Sequence, residues 1–194
     1  MECIKLGLAV TPLVFIYPTT KRYFPYPQLV LGATFNFGVF IGYAAMAPAA
    51  QVAWSACLPF YLGGVLWTIV YDSIYAFQDR EFDKRLGLRS TAIEMENAPK
   101  QVLSVLAATS TGLFALGGMQ AGLAAPYFLG LSGVAAHYAW QISTVDLENR
   151  ESCWGMFVAN AHLGALLTLS ILAGRTFTNT TPSKEEQSDA VAEK

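Results

Sequence analysis

Six apolar runs separated by short breaks constrain this chain more than any other feature. They cover residues 3–17, 28–46, 54–78, 102–119, 126–143 and 153–173. Most approach the ~20 residues needed to cross about 30 Å of hydrocarbon. The expected fold class is therefore all-α, a polytopic membrane helix bundle of about six transmembrane helices lying in a lipid bilayer. Composition agrees. Of 194 residues, 54% are hydrophobic and only 13% are charged, where a soluble domain carries roughly 25% charged residues. A net charge of −2 leaves no basic footprint for nucleic acid. The first run is short, carries Lys5, and lacks the charged start and small-residue cleavage site of a secretory signal. It reads as the tail of a longer span. Pro59 is expected to kink the third run.

The connections suggest an orientation. Six spans put residues 17–27, 79–100 and 144–152 on one side of the membrane, and residues 47–53 and 120–125 on the other. The first side carries Lys21, Arg22, Arg80, Lys84, Arg85, Arg89, Lys100 and Arg150, and the two opposite hairpins carry no Lys or Arg. By the positive-inside rule the charged side faces the cytosol, or the matrix in a mitochondrion. The membrane domain is expected over residues 1–175 and a polar, disordered tail over residues 176–194. Asn179-Thr180-Thr181 matches a glycosylation sequon and is read as a chance match. Cys3, Cys57 and Cys153 have no metal-ligand spacing and read as small hydrophobes. His137 and His162 lie in apolar runs and are expected to be buried and satisfied.

Residues 71–91 carry the most suggestive chemistry. On a helix, Asp79 and Asp83 sit four residues apart on one face, about 6 Å apart along the axis. Asp72 falls on the same stripe, on the order of 10 Å deeper. Carboxylates near hydrocarbon are costly, and a divalent cation offsets that cost. Mg²⁺ takes one or two carboxylates and leaves its other positions for water and phosphate oxygens. The stretch therefore reads as a Mg²⁺–diphosphate site at a membrane interface. It reads equally as a solvated helix end whose acids pair with Arg80, Lys84 and Arg85.

Two further polar segments lie on the same side. Tyr17 and Lys21 are four apart, so a phenol and a cation can meet one phosphate; flanking cations and an interfacial Tyr give the same pattern. Residues 144–154 form a net acidic connection, a candidate cap for the pocket that reads better as a solvated link. Asn36 and Gln51 are amides in or beside the spans, with Asn36 expected to bond a neighbouring helix.

The stretch 71–91 resembles the second aspartate-rich motif of the UbiA-type intramembrane prenyltransferases. The resemblance is carried by Tyr71-Asp72, Tyr75-Ala76, Gln78-Asp79, Asp83, Gly87 and Ser90-Thr91-Ala92. It extends to Tyr17-Pro18 with Lys21-Arg22, Pro27-Gln28 and Leu31-Gly32-Ala33, and to Asp146 with Cys153-Trp154, Asn160 and Leu163-Gly164. Three ordered motifs over residues 8–173 are similar to the branch that includes 4-hydroxybenzoate polyprenyltransferases and fungal meroterpenoid polyprenyltransferases. The resemblance implies a nine-helix bundle, of which this chain would be the C-terminal part. It implies Mg²⁺ as cofactor, a prenyl diphosphate donor and an aromatic acceptor, either a 4-hydroxybenzoate in ubiquinone biosynthesis or a polyketide phenolic acid. Asp79 and Asp83 would be metal ligands, and Asp72 would orient the site. Tyr17 and Lys21 would contact the diphosphate, with Arg22 and Arg80 as weaker candidates. The implied location is the mitochondrial inner membrane or an endomembrane.

The chain also departs from the family pattern. The family's first motif, Asn-x-x-x-Asp-x-x-x-Asp, does not occur before Tyr71. The chain is thus expected to begin inside the family's fourth helix, with half of the metal site absent and very low activity on its own. Phe77 stands where close relatives often carry His or another residue. An inactive truncated form is one alternative. A small transporter or structural membrane protein, with Asp72 as an intramembrane ion site, is another.

Overall fold

The computed structural model describes residues 2–46 and 54–178. Nine α-helices account for most of them: α1 Glu2–Ile16, α2 Pro27–Asn36, α3 Gly38–Met46, α4 Trp54–Ala76, α5 Arg80–Arg85, α6 Thr91–Glu94, α7 Pro99–Gln120, α8 Ala125–Thr144 and α9 Arg150–Thr178. No strand occurs among the described residues. The all-α bundle expected from the apolar runs is what forms, with helix boundaries within a few residues of the runs at most ends.

Among the described residues, five helical stretches are long and apolar enough to cross a membrane: Glu2–Arg22, Pro27–Met46, Trp54–Arg85, Pro99–Gln120 and Arg150–Thr178. The remaining run becomes α8, which has 20 residues. That length reaches roughly 30 Å, but Gln141, Ser143 and Thr144 make its end polar. The second run is not one straight helix, because it breaks at Phe37 between α2 and α3. Residues 176–178 belong to α9 rather than to the tail. There the Thr176 and Thr178 hydroxyls donate to the carbonyls of Leu172 and Gly174. The rest of the tail with its sequon, the 47–53 hairpin and Gln51 lie outside the described residues. Helix α4 runs through Pro59 without interruption.

Helix α4 is the hub, packing against α2, α7 and α9, while α8 packs between α7 and α9. The core is built from Val70 and Ile74 of α4, Leu103 and Phe114 of α7, Leu131 and Val134 of α8, and Leu163 and Leu167 of α9. Helices come close where one residue has no side chain, as expected for bundles that lack a hydrophobic drive in lipid. A Cβ on Gly32 would stand 2.9 Å from the Val65 carbonyl oxygen, so α2 and α4 meet at the backbone. One turn along, the Asn36 carboxamide lies on Gly64 and donates to Gly32 O and Thr68 Oγ1, both at 2.9 Å. The mid-span amide thus bonds the neighbouring helix, as expected.

The cysteines are free; Cys57 and Cys153 are buried and Cys3 is half-buried. The histidines differ from expectation. His162 lies on the outer surface of α9, and His137 is half-buried with its Nε2 unpaired among the described residues. Their neighbours in sequence divide, Ala136 and Ala161 facing outward and Tyr138 and Leu163 lying in the core, so an apolar run does not distinguish the core side from the outer side.

Gly64→Ala should push Asn36 off α4 and destabilise the bundle by about 1–3 kcal/mol, the usual cost of overpacking. Gly7→Ala, where an added Cβ meets nothing within 4 Å, should cause no loss. Unfolding of the two variants in detergent checks the contrast, and equal behaviour would remove the close α2–α4 contact as a determinant.

Candidate functional site

The connection between α1 and α2 is a 3₁₀ helix, Tyr17–Arg22, followed by a short turn. Pro18 suits its first turn, where a missing N–H costs nothing. Thr20 is buried and its hydroxyl donates to Tyr17 O at 2.6 Å. This segment and the start of α2 are tied at three points to the chain that follows α4. The Lys21 ammonium donates to Asp83 Oδ2 at 3.0 Å, and the Arg89 N–H donates to Lys21 O at 2.8 Å. The Thr91 N–H donates to Gln28 Oε1 at 3.3 Å, and the Thr91 hydroxyl bonds the same oxygen. Gly87, at φ 66°, supplies the left-handed turn that returns the chain to make the second and third ties. Lys84 reaches Glu96 and holds that carboxyl below its usual range, fastening α5 to the segment after α6.

Between these segments lies a cavity of about 100 Å³ lined by Tyr17, Lys21, Pro27, Gln28, Asp72, Tyr75, Ala76 and Asp79. Four of the seven residues singled out from sequence, Tyr17, Lys21, Asp72 and Asp79, therefore line the same cavity. The phenol and the cation meet two carboxylates across it. Asp72 faces Gln28 and Lys21. Gln28 Oε1 accepts from Thr91, so the Gln28 amide nitrogen is left for the cavity side, where it suits a carboxylate.

Asp83 is placed elsewhere. The chain leaves α4 through a 3₁₀ turn, Phe77–Asp79, and Asp79 has φ −115° and ψ 8° before α5 begins. That break removes the continuous α-helical stripe which the four-residue spacing assumes. Asp83 is only 3% exposed and lies outside the cavity lining, against Lys21. Arg80 also lies outside it. It binds Glu148 and Glu81, each at 3.2 Å, with its guanidinium carbon 5.5 Å from the Phe77 ring centroid. Arg22 is exposed and does not line the cavity. The acids do pair with bases: Glu81 with Arg80 and Lys84, as expected from sequence, whereas Asp83 takes Lys21 and Asp79 takes Arg150, the latter through a 3.1 Å bond.

Sequence reading missed Gln28 as a bridge and Arg150 as a neighbour of the site. Gln28 had a signal, a polar residue starting an apolar run just after a proline. Arg150 had one too, as the only basic residue in an acidic connection. No group of three or more His, Cys, Asp or Glu that could hold a metal occurs among the described residues. Asp72 and Asp79 nevertheless both line the cavity and bring hard oxygen donors to it. That donor set fits Mg²⁺, which is held by one or two carboxylates and otherwise by phosphate oxygens and water.

A family model described as the UbiA prenyltransferase family matches residues 1–172. The chain is 40% identical over 190 residues to the 4-hydroxybenzoate polyprenyltransferase, mitochondrial, of Rattus norvegicus, covering 98% of this chain and 50% of that relative. It is 41% identical over 171 residues to the Homo sapiens protein of the same description, covering 88% and 46%. To the Saccharomyces cerevisiae protein it is 39% identical over 172 residues, covering 88% and 45%. The chain thus spans about half the length of the curated relatives it matches. No solved structure matches it. The matched residues 1–172 include the α1–α2 connection and the end of α4, which line the cavity, and the α8–α9 link beside it. The chain belongs to the UbiA prenyltransferase family.

Proposed function

We propose that this chain carries a diphosphate-binding part of an aromatic polyprenyltransferase. The reaction would move a polyprenyl group from a prenyl diphosphate to a phenolic acid. The observation that carries the reading is the cavity where Tyr17 and Lys21 face Asp72 and Asp79 at the end of an apolar bundle. The relatives' description favours 4-hydroxybenzoate as acceptor, in ubiquinone biosynthesis, over a polyketide acid. It also supports placement in a mitochondrial membrane. The proposed orientation puts the cavity and the basic connections on the matrix side.

Bound Mg²⁺ would supply Lewis-acid neutralisation of the leaving diphosphate. Asp79 is its proposed ligand, with Asp83 available when Lys21 turns away, and Asp72 orients the site from deeper in the cavity. Lys21, with three N–H donors, and the Tyr17 hydroxyl would hold diphosphate oxygens. The allylic C–O bond breaks and its electron pair leaves with the diphosphate. An electron-rich ring carbon bonds to the allylic carbon, and the ring then loses a proton. The apolar walls of α2 and α4 keep water from the electrophile.

The test uses the full chain in membrane vesicles with labelled polyprenyl diphosphate, 4-hydroxybenzoate and Mg²⁺. Product should form slowly, disappear with a chelator and return with added Mg²⁺. Asp79→Ala and Asp72→Ala should each lower the rate by roughly 10²–10³-fold, the scale for losing one transition-state stabiliser. Undiminished turnover in Asp79→Ala would sink the metal assignment.

Lys21 also has a structural partner. Lys21→Met should leave the buried Asp83 carboxylate unpaired and lower stability by about 1–3 kcal/mol, less to the extent that the half-exposed lysine is screened. Adding Asp83→Asn should restore the unfolding midpoint but not the turnover. Turnover that returns together with stability would show that Lys21 acts only through Asp83.

A further inference from the structure

The connection between α8 and α9 is more tightly specified than a solvated link needs to be. Val145 and Leu147 are buried beneath it, at 1% and 9% exposure. Asp146 Oδ1 accepts from the Glu148 N–H at 3.1 Å, and the Asp146 N–H donates to Ser152 Oγ at 2.9 Å. Asn149 Oδ1 accepts from the N–H groups of Glu151 and Ser152, capping α9. The buried Cys153 donates its N–H to Asn149 O at 3.0 Å. With Leu147 inward and the cap fixed, Glu148 and Arg150 point to the corner where α4 gives way to α5. There they form crossed ion pairs with consecutive residues, Arg150 with Asp79 and Glu148 with Arg80.

This places a guanidinium at the edge of the candidate cavity. The bond to Asp79 uses one of five N–H donors, and the side chain is 72% exposed, so the rest of its fork faces outward. Lys21 already serves Asp83 and faces Asp72. The three carboxylates, Asp72, Asp79 and Asp83, therefore meet two cations, Lys21 and Arg150. A dication bound at Asp79 would compete with Arg150 for the same oxygens. It would bring with it an anion that suits the fork of a guanidinium.

We propose that Arg150 is a further diphosphate-binding residue of this site: it neutralises Asp79 in the arrangement described and turns to the diphosphate oxygens when a divalent cation takes Asp79. The proposal rests on the diphosphate-binding reading given above. It makes the α8–α9 connection part of the binding machinery and separates the roles of two neighbouring ion pairs. Arg150–Asp79 exchanges partners on binding, whereas Arg80–Glu148 holds the loop in place.

The two halves of the exchange have opposite signs, which makes them measurable without turnover. The full chain in neutral-lipid nanodiscs is titrated calorimetrically with Mg²⁺ alone, and with inorganic diphosphate at saturating Mg²⁺. Arg150→Gln should weaken diphosphate binding by about tenfold, the scale of one charged hydrogen bond. It should at the same time tighten Mg²⁺ binding, because a positive charge leaves Asp79. Arg150→Lys should recover part of the diphosphate affinity. If both affinities fall together in Arg150→Gln, the residue only holds the loop and the proposal is overturned. If wild type and Arg150→Gln bind diphosphate equally well, the proposal alone fails. Wild-type chain that takes up no diphosphate removes the underlying functional reading as well.

Discussion

The ion pair between Lys21 and Asp83 is the constraint on which the polar end of this bundle depends. It joins residues 62 positions apart and brings the α1–α2 connection against the turn that follows α4. Asp83 is buried, and a buried carboxylate without a partner is strongly unfavourable. The chain cannot leave Lys21 elsewhere without exposing Asp83 or losing its charge. The two further ties, Arg89 to Lys21 and Thr91 to Gln28, are weaker singly but fix the same apposition. The cavity is what remains between the segments so fastened.

Charge in this region is arranged by position rather than by sequence neighbourhood. Asp79 and Arg80 are adjacent, yet Asp79 pairs with Arg150 at the start of α9, while Arg80 divides between Glu148 and its neighbour Glu81. Lys84 and Glu81 are three apart on α5, but Lys84 also reaches Glu96 beyond α6. Consecutive residues of opposite sign thereby reach different partners, and each bond ties a different pair of elements. At the end of an apolar bundle, where water screens less than in bulk, such pairs orient the connections more than they stabilise the fold.

Much of the architecture was legible in the sequence, because the length of an apolar run is a direct physical requirement of crossing lipid. The runs give the helices and their order. The apposition of Tyr17, Lys21, Asp72 and Asp79 is also readable, since the resemblance links three motifs that must meet. Other features were not readable. The 3₁₀ turn at Phe77–Asp79 depends on how α4 packs, and it turns Asp83 out of line with Asp79 despite their four-residue spacing. The break at Phe37 carries no proline and no unusual charge to announce it. His137 and His162 show the limit of hydropathy: where both the core and the surroundings are apolar, it does not tell which side of a helix a residue faces. Arg150 was hidden for a different reason. Its role follows from the buried Val145 and Leu147 beside it, and their burial is a property of the fold.

The cap at Asn149 has a consequence for how this family member can change. It pins the first turn of α9, so the direction of Arg150 is set by the register of a 29-residue helix. One residue inserted between Asn149 and Arg150 would rotate that guanidinium by about 100° around the axis. A length change before Asn149 could be absorbed only by pulling Leu147 from its seat. Beyond the charges of Glu148 and Arg150, the length of this connection is itself locked to the site.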